Sequence, residues 1–187
     1  MDDYHARLAA RLRTERETRG WSLAELAERS DVSKAMISRV ERGESSPTAA
    51  LLGRLSGALG LTVSQLLARA EGTSGRLARA AEQQAWRDPE TGFVRRAMTP
   101  HGAPTPVELV YGDLPPGARI EYPAASYTFI DQQIVLLAGK LRFTQGDASY
   151  EMEPGDCLHL GPPADSSFHN PGPEPCRYIV VVMRRDR

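Results

Sequence analysis

The sequence predicts a two-domain protein of mixed class, a bundle of five short helices followed by an all-β barrel or sandwich. Three observations lead there. The length, 187 residues, exceeds what one small domain needs and falls short of three ordinary ones. Up to residue 68 the apolar residues recur at helical spacing between capping signals. Beyond about residue 86 they fall into short runs separated by Pro-Gly punctuation, the pattern of antiparallel strands and turns.

The first helix is predicted over residues 6–18, where Leu8 and Leu12 make one apolar stripe amid Arg and Glu, with Gly20 as a left-handed stop. Ser22 and Glu25 then form a capping box, each side chain satisfying an orphan amide at the other's position. Leu23, Leu26 and Ala27 are the buried face of that second helix, which runs out near Ser30 and Asp31. Val32 and Ser33 open a third helix over residues 34–42, with Ile37 and Val40 inward and Gly43 as its stop. A fourth begins at Ser46, Pro47 and Thr48, because proline is tolerated in the first turn, and lines its core side with Leu51, Leu52, Leu55 and Leu59. Thr62 and Gln65 repeat the capping box for a fifth, packed through Val63, Leu66 and Leu67.

The domain assignment is therefore 1–68 for the helical bundle, 69–85 for a linker rich in small residues and arginine, and 86–187 for the β domain. Strands are predicted around residues 107–111, 133–138, 141–144 and 178–183. No apolar run approaches the roughly 18 residues a membrane span requires, and the N-terminus has neither the basic start nor the apolar core of a secretory signal, so a cytoplasmic location is expected. Cys157 and Cys176 match no disulfide framework or metal cluster and are expected as free thiols. Net charge is -1, but residues 1–68 carry ten Lys+Arg against nine Asp+Glu while residues 97–187 carry seven against eleven. Any phosphate-binding face must then be local rather than a property of the whole molecule.

Residues 23–42 have the mechanics of a helix, a tight turn and a second helix whose outward side chains, Lys34, Ala35, Ser38 and Arg39, could enter a major groove. The segments Ser-Leu-Ala-Glu-Leu-Ala (22–27), Val-Ser (32–33), Ile-Ser-Arg-Val-Glu-Arg-Gly (37–43) and Ser-Pro-Thr (46–48) together resemble the lambda-repressor/Cro-like (XRE) helix-turn-helix family over residues 7–68. The resemblance implies that Lys34, Ala35 and Arg39 read base edges, with Arg39 suited to bidentate contact with guanine. It implies that Ser33, Ser38, Arg42, Ser45 and Thr48 meet phosphates, which fix position without choosing sequence. Arg16 and Glu41 stand where the family has an internal ion pair. Leu23 occupies a position at which many members carry a polar residue that holds the DNA backbone.

The second domain resembles a small cupin, a double-stranded β-helix or jelly-roll barrel, through Leu-Pro-Pro-Gly-Ala (114–118), Val-Leu-Leu-Ala-Gly (135–139), Pro-Gly-Asp-Cys-Leu (154–158) and Ser-Ser-Phe-His-Asn-Pro (166–171). Metal-binding cupins carry two His and a Glu in the first motif and a His in the second. Here the Glu position falls on Gln132, and the first two His positions fall on Ser126 and Thr128, or on Ala125 and Tyr127 with the other allowed spacing. The last falls on Ser166. Such a set lacks the charge and basicity of the metal ligands, and His101, His159 and His169 have no tight spacing, so no metal and no cofactor is expected. An organic ligand remains compatible with the barrel, with Tyr122, Tyr127, Phe129, Gln132, His159, Ser166 and Phe168 as lining by motif position or, equally, as core.

These resemblances imply a DNA-binding transcriptional regulator, a repressor, that holds its double-stranded operator as a homodimer and carries a barrel sensing a small molecule. Two other readings of the barrel are an enzyme and a plain dimerisation module. No metal triad, Ser/His/Asp order or paired carboxylates support the enzyme, and a non-enzymatic protein is expected.

Overall fold

The structure is a computed structural model that describes residues 3–67, 76–100, 103 and 105–185. His101, one of the histidines considered above, lies outside the described residues, as does the first half of the predicted linker.

Among the described residues five helices come first: α1 (Asp3–Thr18), α2 (Leu23–Ser30), α3 (Lys34–Glu41), α4 (Ala49–Ala58) and α5 (Val63–Leu67). The first begins three residues before its predicted start; the others follow the capping signals. Ser22 Oγ accepts from the Glu25 amide at 3.2 Å while Glu25 Oε2 accepts from the Ser22 amide at 2.7 Å. Ser33 and Thr48 cap α3 and α4 in the same way, and Thr62 and Gln65 form the second predicted box. Leu8, Leu12, Leu26, Val32, Ile37, Val40, Leu52, Leu55 and Leu66 bury the inner faces, and among the described residues no helix is long and apolar enough to cross a membrane.

Residues 76–84 cross to the β domain through turns. Among the described residues ten strands follow: β1 (Ala85–Arg87), β2 (Val94–Ala97), β3 (Val107–Leu114), β4 (Arg119–Tyr122), β5 (Ile130–Ala138), β6 (Leu141–Gln145), β7 (Ala148–Met152), β8 (Cys157–His159), β9 (Ser166–His169) and β10 (Cys176–Arg184), with a 3-10 turn at Ala124–Tyr127. They make two antiparallel sheets, β1-β2-β3-β10-β5-β8 and β4-β9-β6-β7. The four longest predicted runs became β3, β5, β6 and β10. The strands missed are three to five residues long, too short to show a period of two.

The sheets face each other across an aromatic core. Phe168 of β9 stacks on Tyr178 of β10 with centroids 5.3 Å apart, and Phe143 of β6 meets Phe168 edge-on at 4.9 Å. The two domains are also packed together. Ala49, Gly53 and Gly57, one turn apart along α4, lie against the β domain, where a Cβ on Gly53 would come within 2.6 Å of the Tyr122 ring. A Cβ on Gly57 would stand 3.1 Å from the Ala125 carbonyl oxygen. Hydrogen bonds cross the junction from the Ala49 amide to Asp88 Oδ2 at 2.6 Å, from Ser126 Oγ to the Gly53 carbonyl at 2.9 Å, and from Thr62 Oγ1 to the Glu108 carboxylate at 2.9 Å.

Candidate functional site: the outer face of α3 and the interdomain cavity

The outer face of α3 is set by its inner one. Ile37 and Val40 are fully buried, and the helical period therefore turns Lys34, Ala35 and Arg39 outward, where all three are exposed. α3 is held at both ends. Asp31 adopts a left-handed conformation at φ 53°, tolerable for an Asp, and its carbonyl and carboxylate accept from Arg54 Nη1 of α4 at 2.9 and 3.0 Å. From the other side, Arg16 of α1 grips Glu41 in a two-pronged pair, Nε to Oε1 and Nη2 to Oε2, both 2.8 Å, while Nη1 donates to the Trp21 carbonyl. Both side chains are nearly enclosed, at 11% and 6% exposure. Glu41 raises the Arg16 pKa chiefly through that hydrogen bond.

The residues expected at phosphates rim the exposed end of this helix. Ser33 is exposed at the N-terminus of α3 with its hydroxyl occupied by the Met36 amide. Arg42 donates to Ser38 Oγ and to both Glu44 carboxylate oxygens, at 2.6 and 2.7 Å for the latter. Arg42 and Glu44 are about half exposed, and an exposed pair contributes little, so a phosphate can take the place of Glu44 at small cost. Ser45 and Thr48 are half-buried; Thr48 holds the α4 cap. Leu23, where the polar residue is missing, packs on the bundle core.

A cavity of about 70 Å³ lies at the junction of the two domains. Tyr122, Tyr127, Gln132 and Phe168, four of the seven residues expected as lining, do line it. The other three do not. Phe129 packs on the core beside it, and Ser166 is buried in a hydrogen bond with the Tyr127 hydroxyl and faces a neighbouring groove. His159 is exposed on the outside of the sheet, because β8 alternates and only Leu158 between Cys157 and His159 turns inward. Residues missed by sequence reasoning complete the wall: Phe93, Arg95 and Tyr178 from the barrel, and Ser56, Leu61, Thr62 and Val63 from α4, α5 and their connection. The stripe of small residues at 49, 53 and 57 was the available signal that α4 has a second packing face.

The positions at which metal cupins carry His serve other contacts here. Ser126 and Ala125 seat α4, and Tyr127 and Ser166 bond each other. Burial pushes the Tyr122 hydroxyl up to about 12 and raises Tyr127 and Tyr178 as well, so the phenols are neutral donors at ordinary pH. Among the described residues no three His, Cys, Asp or Glu side chains gather as metal ligands do.

Comparison with known proteins places each half. The helix-turn-helix family model matches residues 12–66 and the cupin domain model matches residues 110–182. The chain is an XRE-type helix-turn-helix domain joined to a cupin domain. Its helix-turn-helix half is 42% identical over 67 residues to the HTH-type transcriptional regulator SutR of Escherichia coli strain K12. That match covers 36% of this chain and 38% of SutR, so the chain spans under half the length of that relative. A helix-turn-helix family transcriptional regulator from Vibrio cholerae has the same fold throughout, with a TM-score of 0.81 over 98% of both chains at 22% identity. The cupin domain of an XRE family transcriptional regulator from Enterobacter cloacae is more distant, at 14% identity and a TM-score of 0.45 over 51% of this chain and 98% of that one.

Proposed function

We propose that this XRE–cupin protein is a non-enzymatic transcriptional regulator, a repressor that binds double-stranded DNA through α3 as a homodimer and senses a small molecule in its cupin half. The observation that carries the reading is the outer face of α3: Lys34, Ala35 and Arg39 stand exposed on a short helix held rigidly by Arg16 and Arg54. A guanidinium projecting from such a helix pairs bidentately with guanine, and Arg42, Ser33, Ser38, Ser45 and Thr48 supply the flanking phosphate contacts. The domain limits follow as 1–68 and 86–187.

The homodimer reading is supported by the outward face of the six-stranded sheet. Register places Leu109 beside Val181 and Ile179 beside Val135, with Leu137 and Met183 exposed nearby. An apolar face of this kind suits a second copy of the chain, and two copies would present two recognition helices to half-sites about one duplex turn, about 34 Å, apart.

The test is binding of the full chain to the DNA flanking its own gene over a salt series, with Arg39→Ala in parallel. Affinity should fall steeply with salt, and the substitution should weaken binding about tenfold to a hundredfold at one sequence. Weak binding that the substitution leaves unchanged would overturn the assignment of α3 as the reading helix for that DNA.

A further inference from the structure

A second, much smaller cavity lies between the two halves. It measures about 10 Å³ and is lined by Ser64 and Leu67 of α5, Gln84, Trp86 of β1, and Arg95 and Ala97 of β2. Two of these residues carry enclosed polar atoms that make no hydrogen bond among the described residues: Ser64 Oγ and Trp86 Nε1. Trp86 as a whole is 3% exposed. Register pairs Trp86 with Arg95 across β1 and β2, which puts both side chains on one face of the sheet, the face toward α5.

An indole N–H can only donate, while a hydroxyl both donates and accepts. Burying either without a partner costs about tenfold or more in the folding equilibrium. A body that accepts from the indole and donates to the hydroxyl satisfies both at once. Size and charge then decide what that body is. Roughly 10–15 Å³ is the space of one water, too little for an organic molecule or an oxyanion. A cation is excluded as well, because the indole presents its positive hydrogen to the site.

We propose that a single ordered water occupies this cavity, accepting from Trp86 Nε1 and donating to Ser64 Oγ, and so ties α5 to β1. Gln84 and Arg95 make the surrounding wall partly polar, as buried waters require. The bridge anchors α5 to the β domain a second time within three residues, since Thr62 Oγ1 already donates to the Glu108 carboxylate of β3 at 2.9 Å. It persists only while α5 and β1 stay one water apart, so a rearrangement of the two halves that changes this spacing breaks it.

The direct experiment is a crystal structure of the full chain at a resolution that shows waters. It should place a density peak about 2.7–3.2 Å from both Ser64 Oγ and Trp86 Nε1. In solution, denaturant unfolding is compared for the wild type, Ser64→Ala, Trp86→Phe and the double variant. Either single change breaks the same bridge, and the packing lost with the indole cancels in the cycle. The rise in the unfolding constant of the double variant should therefore fall short of the product of the two single effects by about threefold or more. If Trp86→Phe does not fold, the crystal structures of the wild type and Ser64→Ala still decide, the second having lost or displaced the peak. A direct Ser64 to Trp86 hydrogen bond, no peak within hydrogen-bonding reach of both atoms, or a double effect equal to the product of the singles would overturn the proposal.

Discussion

Removing one partner of the Arg16 and Glu41 pair tests whether α3 is held rigid as the geometry requires. The pair makes two 2.8 Å charge-assisted bonds at 11% and 6% side-chain exposure, with a third bond from Arg16 to the Trp21 carbonyl. Glu41→Ala leaves a guanidinium enclosed without its carboxylate, and losing one member of a buried pair costs about 3–5 kcal/mol. Arg16 is not fully enclosed, and solvent reaching it puts the expected loss at the lower end, about 3 kcal/mol. In a chain of this size that corresponds to a fall in Tm of about 6–12 °C if the domains melt together. Arg16→Met should cost a similar amount, since it strands Glu41 and the Trp21 carbonyl. The double variant Arg16→Met/Glu41→Leu removes both charges and should be clearly more stable than the sum of the single losses predicts, with a coupling of about 2 kcal/mol. Denaturant unfolding of the four proteins measures this. Additive single losses, with coupling under about 0.5 kcal/mol, would refute the claim that the pair braces α1 against α3.

Base should unfold the protein through its buried tyrosines. The folded pKa of Tyr122 is pushed up to about 12 and those of Tyr127 and Tyr178 are also raised, while unfolded tyrosines titrate near about 10. Above pH about 10 the unfolded chain loses protons that the folded one keeps, so stability is full below that pH and falls by about 1.4 kcal/mol per pH unit per tyrosine on the way up. Tyr127→Phe should flatten that slope by one tyrosine's share, and an unchanged slope in alkaline melts would count against its burial. Thiol labelling with a chromogenic disulfide should modify the exposed Cys157 at once and Cys176 only on unfolding, because burial pushes the Cys176 thiol up to about 12 and hides it; equal rates would contradict the placement of β10. Gly53→Leu should force α4 off Tyr122 while leaving the helical bundle intact, seen as two separate thermal transitions or as protease cleavage at the domain junction. Retention of one sharp transition with wild-type protease resistance would show the junction to be slack.

Most of the helical half was legible because its signals are local. The Ser22 and Thr62 boxes, the cap at Thr48 and the spacing of Leu26, Ile37 and Val40 each act within one or two turns, and each appears as read. Knowing which side of α3 is buried, by Ile37 and Val40, also tells which side is free, and so Lys34 and Arg39 could be placed without a structure. The barrel was legible in outline through its long strands and turn residues.

The cavity was not legible, for a physical reason: its wall gathers residues from β2, β3, β10, α4 and α5, and no periodicity relates positions that far apart in the chain. His159 and Arg95 show the limit in both directions. A motif position put His159 inside, but the alternation of a three-residue strand put it out; nothing in the sequence singled out Arg95, which the pairing of β2 with β1 and β3 turned inward. The sequence by itself determined an amphipathic first helix and four capped ones, the outward face of α3 and a cupin motif without the usual metal-ligand residue types. Only the tertiary structure decided that the halves are seated on each other, because packing of Gly53 and Gly57 against Tyr122 and Ala125 depends on close approach between surfaces that the chain brings together only when both domains have folded.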